Sequence, residues 1–244
     1  MKVLVVNPNT SAGMTERIGA AAREAAGQGT QIVAVNPEHG PVSIEGYFDE
    51  AFAVPGMLEE IMKGEREGAQ AFVIACFDDT GLEAARCVAS APVVGIGEAA
   101  FHMASLIAHR FSVVTTLSRS IAPIEANLMK YGLDRRCARV RACEVPVLAL
   151  DDPHSSAREK LSDEIARAKA QDGADAIVLG CAGMADLAAS LARDHGLPVI
   201  DGVASAVKLA EALVSLGYAT SKRGPYAPPL PKAFAGAFAA LGQL

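Results

Sequence analysis

The sequence has no tryptophan, few aromatic residues (5%) and no long apolar run. None of its hydrophobic stretches reaches the roughly 18 residues that a membrane-spanning helix requires. The N-terminal residues, MKVLVVNPNT, turn polar too soon for a secretory signal peptide. We therefore expect a cytoplasmic protein that has no membrane partner.

The sequence also lacks the features of nucleic-acid and metal binding. Lysine and arginine (22) are outnumbered by aspartate and glutamate (28), and no basic block or zinc-finger pattern occurs. Nucleic acid is therefore not an expected partner. The five cysteines form no CxxC motif and the five histidines lie far apart in the sequence, so we expect free thiols in a reducing compartment and no metal.

The sequence does contain a regular alternation of short apolar runs and longer amphipathic stretches, in a composition that is 51% hydrophobic and 20% charged. The short runs are continuously apolar, which is typical of strands covered on both faces. Alternation of strands and helices predicts an α/β fold with mostly parallel sheets and helices on both sides. The predicted strands are 2–6, 30–35, 71–75, 92–95, 111–115, 139–143, 175–179 and 198–200.

The amphipathic stretches have helical periodicity and start and stop signals. Thr10 or Ser11 can cap the first helix, and Gly27 follows its end. The predicted helices are 12–26, 55–67, 80–89, 98–109, 120–131, 156–171, 184–195 and 203–216.

Two segments of the chain resemble each other. Residues 68–79 read GAQAFVIACFDD and residues 173–184 read GADAIVLGCAGM. One separation of 105 residues relates both Gly68 to Gly173 and Cys76 to Cys181. The two cysteines therefore follow equivalent strands of a repeated unit.

This repeat predicts two pseudo-symmetric α/β units, 1–97 and 98–208. A helix near 203–216 is expected to pack back on the first unit. The remaining segment, 221–244, is rich in proline and glycine, which predicts an irregular arm that crosses the surface or touches a neighbouring subunit.

In open α/β sheets, ligands bind beyond the carboxyl ends of the strands. Polar or reactive groups follow four predicted strands here, at 7–10, 76–79, 115–116 and 181–183. Pseudo-twofold pairing of the two units would bring these ends to one cleft, with the thiols of Cys76 and Cys181 on its two sides. The expected binding partner is a small molecule.

Two thiols on opposite sides of a cleft suit a racemase. Such an enzyme removes a proton from one face of a carbon and returns a proton to the other face. A thiolate is a base of tunable pKa and a thiol is the matching acid, so Cys76 and Cys181 could exchange these roles between the two directions. An adjacent carbonyl would stabilise the carbanion, and no cofactor is then required.

Each residue also has a structural interpretation. A single cysteine at a strand end is usually a small packed hydrophobe, and only the matched pair favours catalysis. Asp78 and Asp79, at the start of a helix, are more typical of caps and dipole partners than of general bases. Asn7, Asn9, Thr115 and Thr116 suit either a polar substrate or turn hydrogen bonds. We assign Cys87, Cys137 and Cys143, which have no repeat mate, to packing or to the surface.

Several segments together resemble one known family. They are VNPNT at the first strand end, SIEG at 43–46, ACFDD at 75–79, FSVVTTL at 111–117, LGCAGM at 179–184 and PVIDG at 198–202. They are similar to the hydantoin racemase branch of the aspartate/glutamate racemase superfamily, which includes allantoin racemases. Decarboxylases of the same fold keep one cysteine, whereas both are present here.

The resemblance implies a cofactor-independent two-base racemase with its active site between two α/β units. The catalytic cysteines would be Cys76 and Cys181, and no metal would be bound. Homo-oligomers are common in the family, so we expect one here. The implied substrate-binding residues are Asn7, Asn9, Ile44, Phe77, Thr115, Thr116 and Gly183.

The resemblance also implies the substrate class, 5-substituted hydantoins, with allantoin as the alternative. Amino-acid racemases have Asn-Thr after the first cysteine, whereas Phe77 and Asp78 follow it here. An apolar Phe suits a neutral ring better than a zwitterion, so amino acids rank below hydantoins. Two other hypotheses remain open: a non-catalytic small-molecule binder, and a cysteine-based isomerase of an unsaturated acid.

Overall fold

The computed structural model describes residues 1–152 and 154–242. Within these residues, eight strands form two four-stranded sheets, each wholly parallel. The predicted α/β class is therefore confirmed. The strands are β1 Lys2–Val6, β2 Gln31–Val35, β3 Ala71–Ile74, β4 Val93–Gly95, β5 Phe111–Thr115, β6 Cys137–Ala142, β7 Ala176–Gly180 and β8 Val199–Ile200.

The two sheets have the same topology. The first has the order β2-β1-β3-β4 and the second the order β6-β5-β7-β8, so each strand of one unit has a mate in the other. The central strands β3 and β7 are buried along their whole length, as their continuous apolar runs predict. Both carry a cysteine just beyond the strand, which confirms that Cys76 and Cys181 are equivalent in the fold.

In the described ranges of the chain, eight α-helices connect and cover the strands. Ser11 caps the first helix by accepting a hydrogen bond from the amide of Met14, and the sixth and seventh end at the left-handed glycines Gly173 and Gly196. The helices are α1 Ala12–Ala25, α2 Tyr47–Arg66, α3 Leu82–Val88, α4 Ile96–Ile107, α5 Ile121–Lys130, α6 Ala157–Asp172, α7 Ala188–His195 and α8 Gly202–Ser215.

Two helix predictions were wrong at their N-terminal ends. Helix α2 begins eight residues before the predicted start at Pro55, which lies inside the helix. The first turns carry the exposed Phe48 and Phe52, so burial periodicity does not mark them. The helix predicted over 184–195 begins as a 3-10 helix, Ala182–Leu187, and becomes α-helical only at Ala188.

One apolar core runs through both units. It includes Val5 and Val73 of the first sheet and Val113 and Val178 of the second. It also contains Phe101 of α4, which is fully buried. Aromatic rings surround it: its ring centroid lies 5.3 Å from that of Phe77 and 6.0 Å from that of Phe111.

Helix α8 packs on both units. It contacts α1, β3 and β4 of the first sheet's layer and α4 and β7. The division at residues 97 and 98 stays a prediction, since the shared core crosses it.

The chain after α8 runs along the surface of α3. Lys222 Nζ donates to the carbonyl oxygen of Arg86 at 2.6 Å, and Thr220 Oγ1 donates to that of Ala91 at 2.7 Å. Within the described part of this arm, two short 3-10 helices, Gly224–Tyr226 and Gly236–Gly242, are the regular elements. Residues 243 and 244 of the predicted arm lie outside the described residues.

In the described part of the chain, no helix combines the length and apolarity needed to cross a membrane.

The complete burial of Phe101 leads to a prediction about the stability of the fold. Phe101→Ala should lower the free energy of unfolding by about 3–5 kcal/mol, because it leaves a cavity where the aromatic rings meet. Phe48→Ala is the matched control, since that ring is 75% exposed and its loss should change stability by less than about 0.5 kcal/mol. Urea unfolding of both variants measures the difference. Equal effects would contradict the assignment of Phe101 to the shared core.

Candidate active site

A small cavity lies beyond the carboxyl ends of β1, β3, β5 and β7, where parallel α/β sheets place ligands. Its volume is about 40 Å³. Both thiols line it, together with polar side chains from both units and a few apolar ones. The lining residues are Asn7, Asn9, Met14, Ile44, Ala75, Cys76, Phe77, Asp78, Thr116, Ser120, Val147, Gly180, Cys181 and Ala182.

Cys76 lies two residues after β3, at the start of a tight turn. Burial raises the pKa of its thiol well above the usual 9.0, and the nearby carboxyl of Asp78 raises the pKa further. The hydroxyl of Thr80 donates a hydrogen bond to Cys76 Sγ over 3.2 Å, and the amide of Asp78 donates another. These two donors oppose the rise, because they stabilise a thiolate.

Cys181 directly follows β7 and precedes the 3-10 helix Ala182–Leu187. Burial raises the pKa of its thiol to about 12, and Asp78 contributes to the rise. The amide of Gly183 donates a hydrogen bond to Cys181 Sγ, and the positive charge of Arg17 also favours the thiolate. Both thiols are therefore protonated in the resting protein at neutral pH.

The loop after β1 is held by its own side chains. Asn7 and Asn9 are almost fully buried, and Asn7 Nδ2 donates to Asn9 Oδ1 at 2.8 Å and to Thr15 Oγ1 at 3.0 Å. Asn9 Oδ1 also accepts a hydrogen bond from the amide of Ser11 at 2.9 Å. This network fixes the cavity wall next to the N-terminus of α1.

Two loops, one from each unit, close the cavity together. Ile44 precedes α2, and Val147 follows β6; both are buried. The amide of Val147 donates to Glu45 Oε1 at 2.9 Å, so the loops are directly bonded. Sequence patterns contain no sign of this contact, because its partners lie about a hundred residues apart.

Three predicted binding residues contribute to the cavity differently from what a direct side-chain contact with the substrate would require. Thr115 Oγ1 donates to the carbonyl oxygen of Gly180 at 2.9 Å and is absent from the lining. Gly183 is also absent, but its amide reaches Cys181 Sγ. Phe77 is part of the wall, while its ring packs edge-on against Phe101 and is 3% exposed. This ring thus belongs to the core.

The two acids after Cys76 have different surroundings. Asp79 caps a helix, as predicted, but the helix is α4 rather than the following α3: its carboxylate accepts from the amides of Gly97 and Glu98 at 2.9 and 2.8 Å. Tyr131 Oη donates to the same carboxylate at 2.8 Å. Despite these bonds, burial raises the pKa of Asp79 to about 7.

Asp78 is not a cap, and there the prediction was wrong. It lines the cavity, and burial, Glu50 and Asp79 together raise the pKa of its carboxyl from 3.8 to about 8. Asp78 acts electrostatically on both Cys76 and Cys181. Sequence reasoning missed this role, although the position two residues after the first cysteine was a signal for it.

The fold and the two thiols at equivalent strand ends fit the racemase family that the sequence resembles, and comparisons with known proteins identify the same family. The profile of the Asp/Glu/Hydantoin racemase family matches residues 3–210. A hydantoin racemase from Rhizobium meliloti is 52% identical over 236 residues, 97% of this chain and 98% of the relative.

Two solved structures are also similar to this chain in sequence and in fold. An allantoin racemase from Klebsiella pneumoniae superposes with a TM-score of 0.98 at 51% identity, over 100% of both chains. An allantoin racemase from Pseudomonas fluorescens gives a TM-score of 0.93 at 41% identity, over 97% of this chain and all of that one.

The chain therefore belongs to the Asp/Glu/hydantoin racemase family. It is an isomerase of the racemase type.

The partly buried carboxyl group of Asp78 leads to a prediction of how stability changes with pH. Its pKa is higher in the folded chain than the ordinary 3.8, so the folded state takes up a proton and stability falls as the pH rises from about 4 to about 8. Asp78→Asn cannot ionise. It should therefore stabilise the protein more at pH 8 than at pH 5, by up to about 1.4 kcal/mol for each pKa unit of the shift.

Urea unfolding at the two pH values measures this difference. Asp163→Asn, which removes an exposed carboxylate on α6, is the matched control and should show no such pH dependence. An equal effect of Asp78→Asn at both pH values would contradict the elevated pKa.

Proposed function

We propose that this chain is a cofactor-independent, two-base racemase of 5-substituted hydantoins, with Cys76 and Cys181 as its acid and base. One observation carries the proposal: two thiols at equivalent strand ends of a repeated unit line one cavity and interact with the same carboxyl group, Asp78. One thiol follows a strand of each sheet, an arrangement that supports a two-base mechanism.

The chemistry follows from the position of the reacting hydrogen. C5–H of a hydantoin lies next to the C4 carbonyl, so its removal gives an enolate. One cysteine, as thiolate, takes this proton from one face while the other, as thiol, donates its proton to the opposite face. Burial makes each thiolate a strong base once it has formed, and hydrogen bonds from Thr80 and the Gly183 amide stabilise it.

The remaining lining groups are proposed to hold the ring. Asn7, Asn9 and Thr116 contribute polar side chains to the cavity wall, and Ile44 contributes an apolar surface from the closing loop. Phe77, Thr115 and Gly183 stay proposed binding positions. For Thr115 the role is to keep the ends of β5 and β7 together, since its hydroxyl is bonded to Gly180.

Allantoin is the second candidate substrate, and the cavity favours it in one respect. Its C5 substituent is a polar ureido group, and the small cavity has polar side chains from Asp78, Thr116 and Ser120 in its wall. The relatives named above act on hydantoins in one case and on allantoin in the others. Amino acids rank below both, since Phe77 and Asp78 stand here in place of the Asn-Thr pair that follows the first cysteine of amino-acid racemases. A homo-oligomeric state and a cytoplasmic location stay predictions.

The two-base mechanism predicts that both thiols are essential. Cys76→Ala and Cys181→Ala should each lower the racemisation rate by about 100- to 10,000-fold, the usual effect of removing a catalytic acid or base. Each variant should exchange the C5 hydrogen of one enantiomer with solvent deuterium faster than that of the other. Cys87→Ala, which removes a thiol beneath the C-terminal arm, is the matched control.

Polarimetry and NMR in deuterated buffer measure the two rates. Normal racemisation by Cys76→Ala would refute the mechanism, and loss of activity in Cys87→Ala would point to a folding defect instead.

A substrate panel tests the substrate class. Enantiopure 5-benzylhydantoin and allantoin, each followed by circular dichroism in deuterated buffer against a no-enzyme control, should lose their signal as deuterium enters C5. The faster substrate identifies the 5-substituent that the cavity prefers. Ligand-induced stabilisation without deuterium uptake would instead support a non-catalytic binder, and covalent attachment to one thiol would support an isomerase of unsaturated acids.

A further inference from the structure

The carboxyl group of Asp78 has an unusual environment for an aspartate. It lies in the cavity wall with Cys76 and Cys181, and within residues 1–152 and 154–242 no side-chain or backbone donor hydrogen-bonds to its carboxyl oxygens. Only its main chain is bonded: Asn127 Nδ2 donates to its carbonyl oxygen at 2.8 Å. The backbone is thus held in place while the carboxyl group has its hydrogen-bonding capacity free for a ligand.

A second acid lies beside it. Glu50, in the first turn of α2, interacts with Asp78 electrostatically, and its Oε1 is buried without a hydrogen-bond partner among the described residues. Asp79 adds a third carboxyl to the same surroundings. When neighbouring carboxyl groups are partly or fully withdrawn from water, the charge on one disfavours ionisation of the next. Together with burial, these neighbouring acids favour the protonated form of the carboxyl group of Asp78, which lies in the cavity wall.

We propose that Asp78 is a further catalytic residue, which as a neutral carboxylic acid donates a hydrogen bond to the substrate's C4 oxygen and accepts one from the adjacent ring N–H. This inference rests on the proposed function and adds to it. It names the group that receives the enolate, a role that neither cysteine can take while both handle protons.

The donor and acceptor pattern supports this pairing. A protonated carboxyl group has one O–H donor and one carbonyl acceptor side by side. The hydantoin ring holds N3–H and C4=O cis to each other, so the two groups can form two parallel hydrogen bonds. A ligand that is itself a carboxylate has no N–H or O–H with which to donate a hydrogen bond to the carbonyl oxygen of Asp78.

The pairing also favours the transition state over the ground state. As the proton leaves C5, negative charge develops on the C4 oxygen and the hydrogen bond from Asp78 strengthens. An ionised Asp78 would repel the same charge. No proton needs to leave Asp78 in this step: the C5 proton passes to the thiolate, and the opposite thiol returns one to carbon.

Two substitutions distinguish this role from others. Asp78→Asn keeps one N–H donor and one carbonyl acceptor and should retain kcat/KM within about tenfold of the wild type. Asp78→Ala keeps neither and should lose about 100-fold, the usual effect of losing an oxyanion donor. The control Asp163→Asn should match the wild type. Thermal unfolding of each variant verifies that it is folded.

Two kinetic outcomes would overturn the proposal. If Asp78→Asn is as inactive as Asp78→Ala, the carboxylate itself is required, as a base or as a positioning charge. If Asp78→Ala racemises like the wild type, the residue has no role in the reaction.

The pH profile provides a readout that a structural role would not change. Wild-type kcat/KM should rise with pH as a thiolate becomes available and then level off near the pKa of Asp78, about 8. Asp78→Asn should continue to rise. The other titratable groups facing Asp78, namely Glu50, Asp79, Cys76 and Cys181, are unchanged in that variant, and levelling of both profiles at the same pH would overturn the proposal.

A binding experiment separates this inference from the proposed function. 5,5-Dimethylhydantoin has the ring edge but no C5–H, so it tests recognition without chemistry. Calorimetry should show weaker binding, by about tenfold or more, in Asp78→Ala than in the wild type and in Cys76→Ala. Equal binding in all three overturns the role of Asp78 even if racemisation is observed. A selective loss in Asp78→Ala supports that role even if racemisation is not.

Discussion

The hydrogen bonds to the carboxylate of Asp79 join the two units at the turn that carries Cys76. Two amide groups at the start of α4 and the hydroxyl of Tyr131, which follows α5, converge on this one buried side chain. Asn127 of α5 holds the neighbouring carbonyl oxygen of Asp78. The thiol of Cys76 follows a strand of the first sheet. Its turn is thus held in place by α4, which leads to the second sheet, and by residues in and just after α5, which belongs to the second unit. The relative position of the two thiols depends on this junction. The ring of Phe101 packs against Phe77 and Tyr131, two residues of the same region.

Burial also disfavours the charged forms of the thiols and carboxyl groups at the site. Two thiols and two carboxyl groups lie in or beside one small cavity, and burial raises the pKa of each. Keeping them there costs stability, since an ordinary packed core would have no such groups. In the proposed mechanism this cost is useful, because a thiolate with a high pKa is a strong base and a neutral carboxyl group is a hydrogen-bond donor. One physical effect, the removal of water, therefore raises the pKa values of all four groups.

Several features of the site illustrate what sequence patterns convey and what they do not. The matched cysteines were found from the repeat, and the structure places them at equivalent strand ends. The cap interpretation was right in kind for Asp79 and wrong for Asp78, although the two residues are adjacent. Phe77 follows Cys76 as predicted, yet its ring packs on Phe101 in the core, so the preference for a neutral ring has to come from other groups. In each case the sequence identifies a residue at a strand end, but not the direction in which its side chain points.

By itself, the sequence determined the order of strands and helices, the parallel α/β class, the twofold repeat and the places of the two thiols. These properties depend on local periodicity, on turn residues and on a comparison of the chain with itself. The tertiary structure decided which acid faces the cavity, where α2 begins, and how the loops of Ile44 and Val147 meet through Glu45. These features depend on contacts between residues far apart in the chain. Such contacts form only when the two sheets pack together, and local patterns contain no record of them.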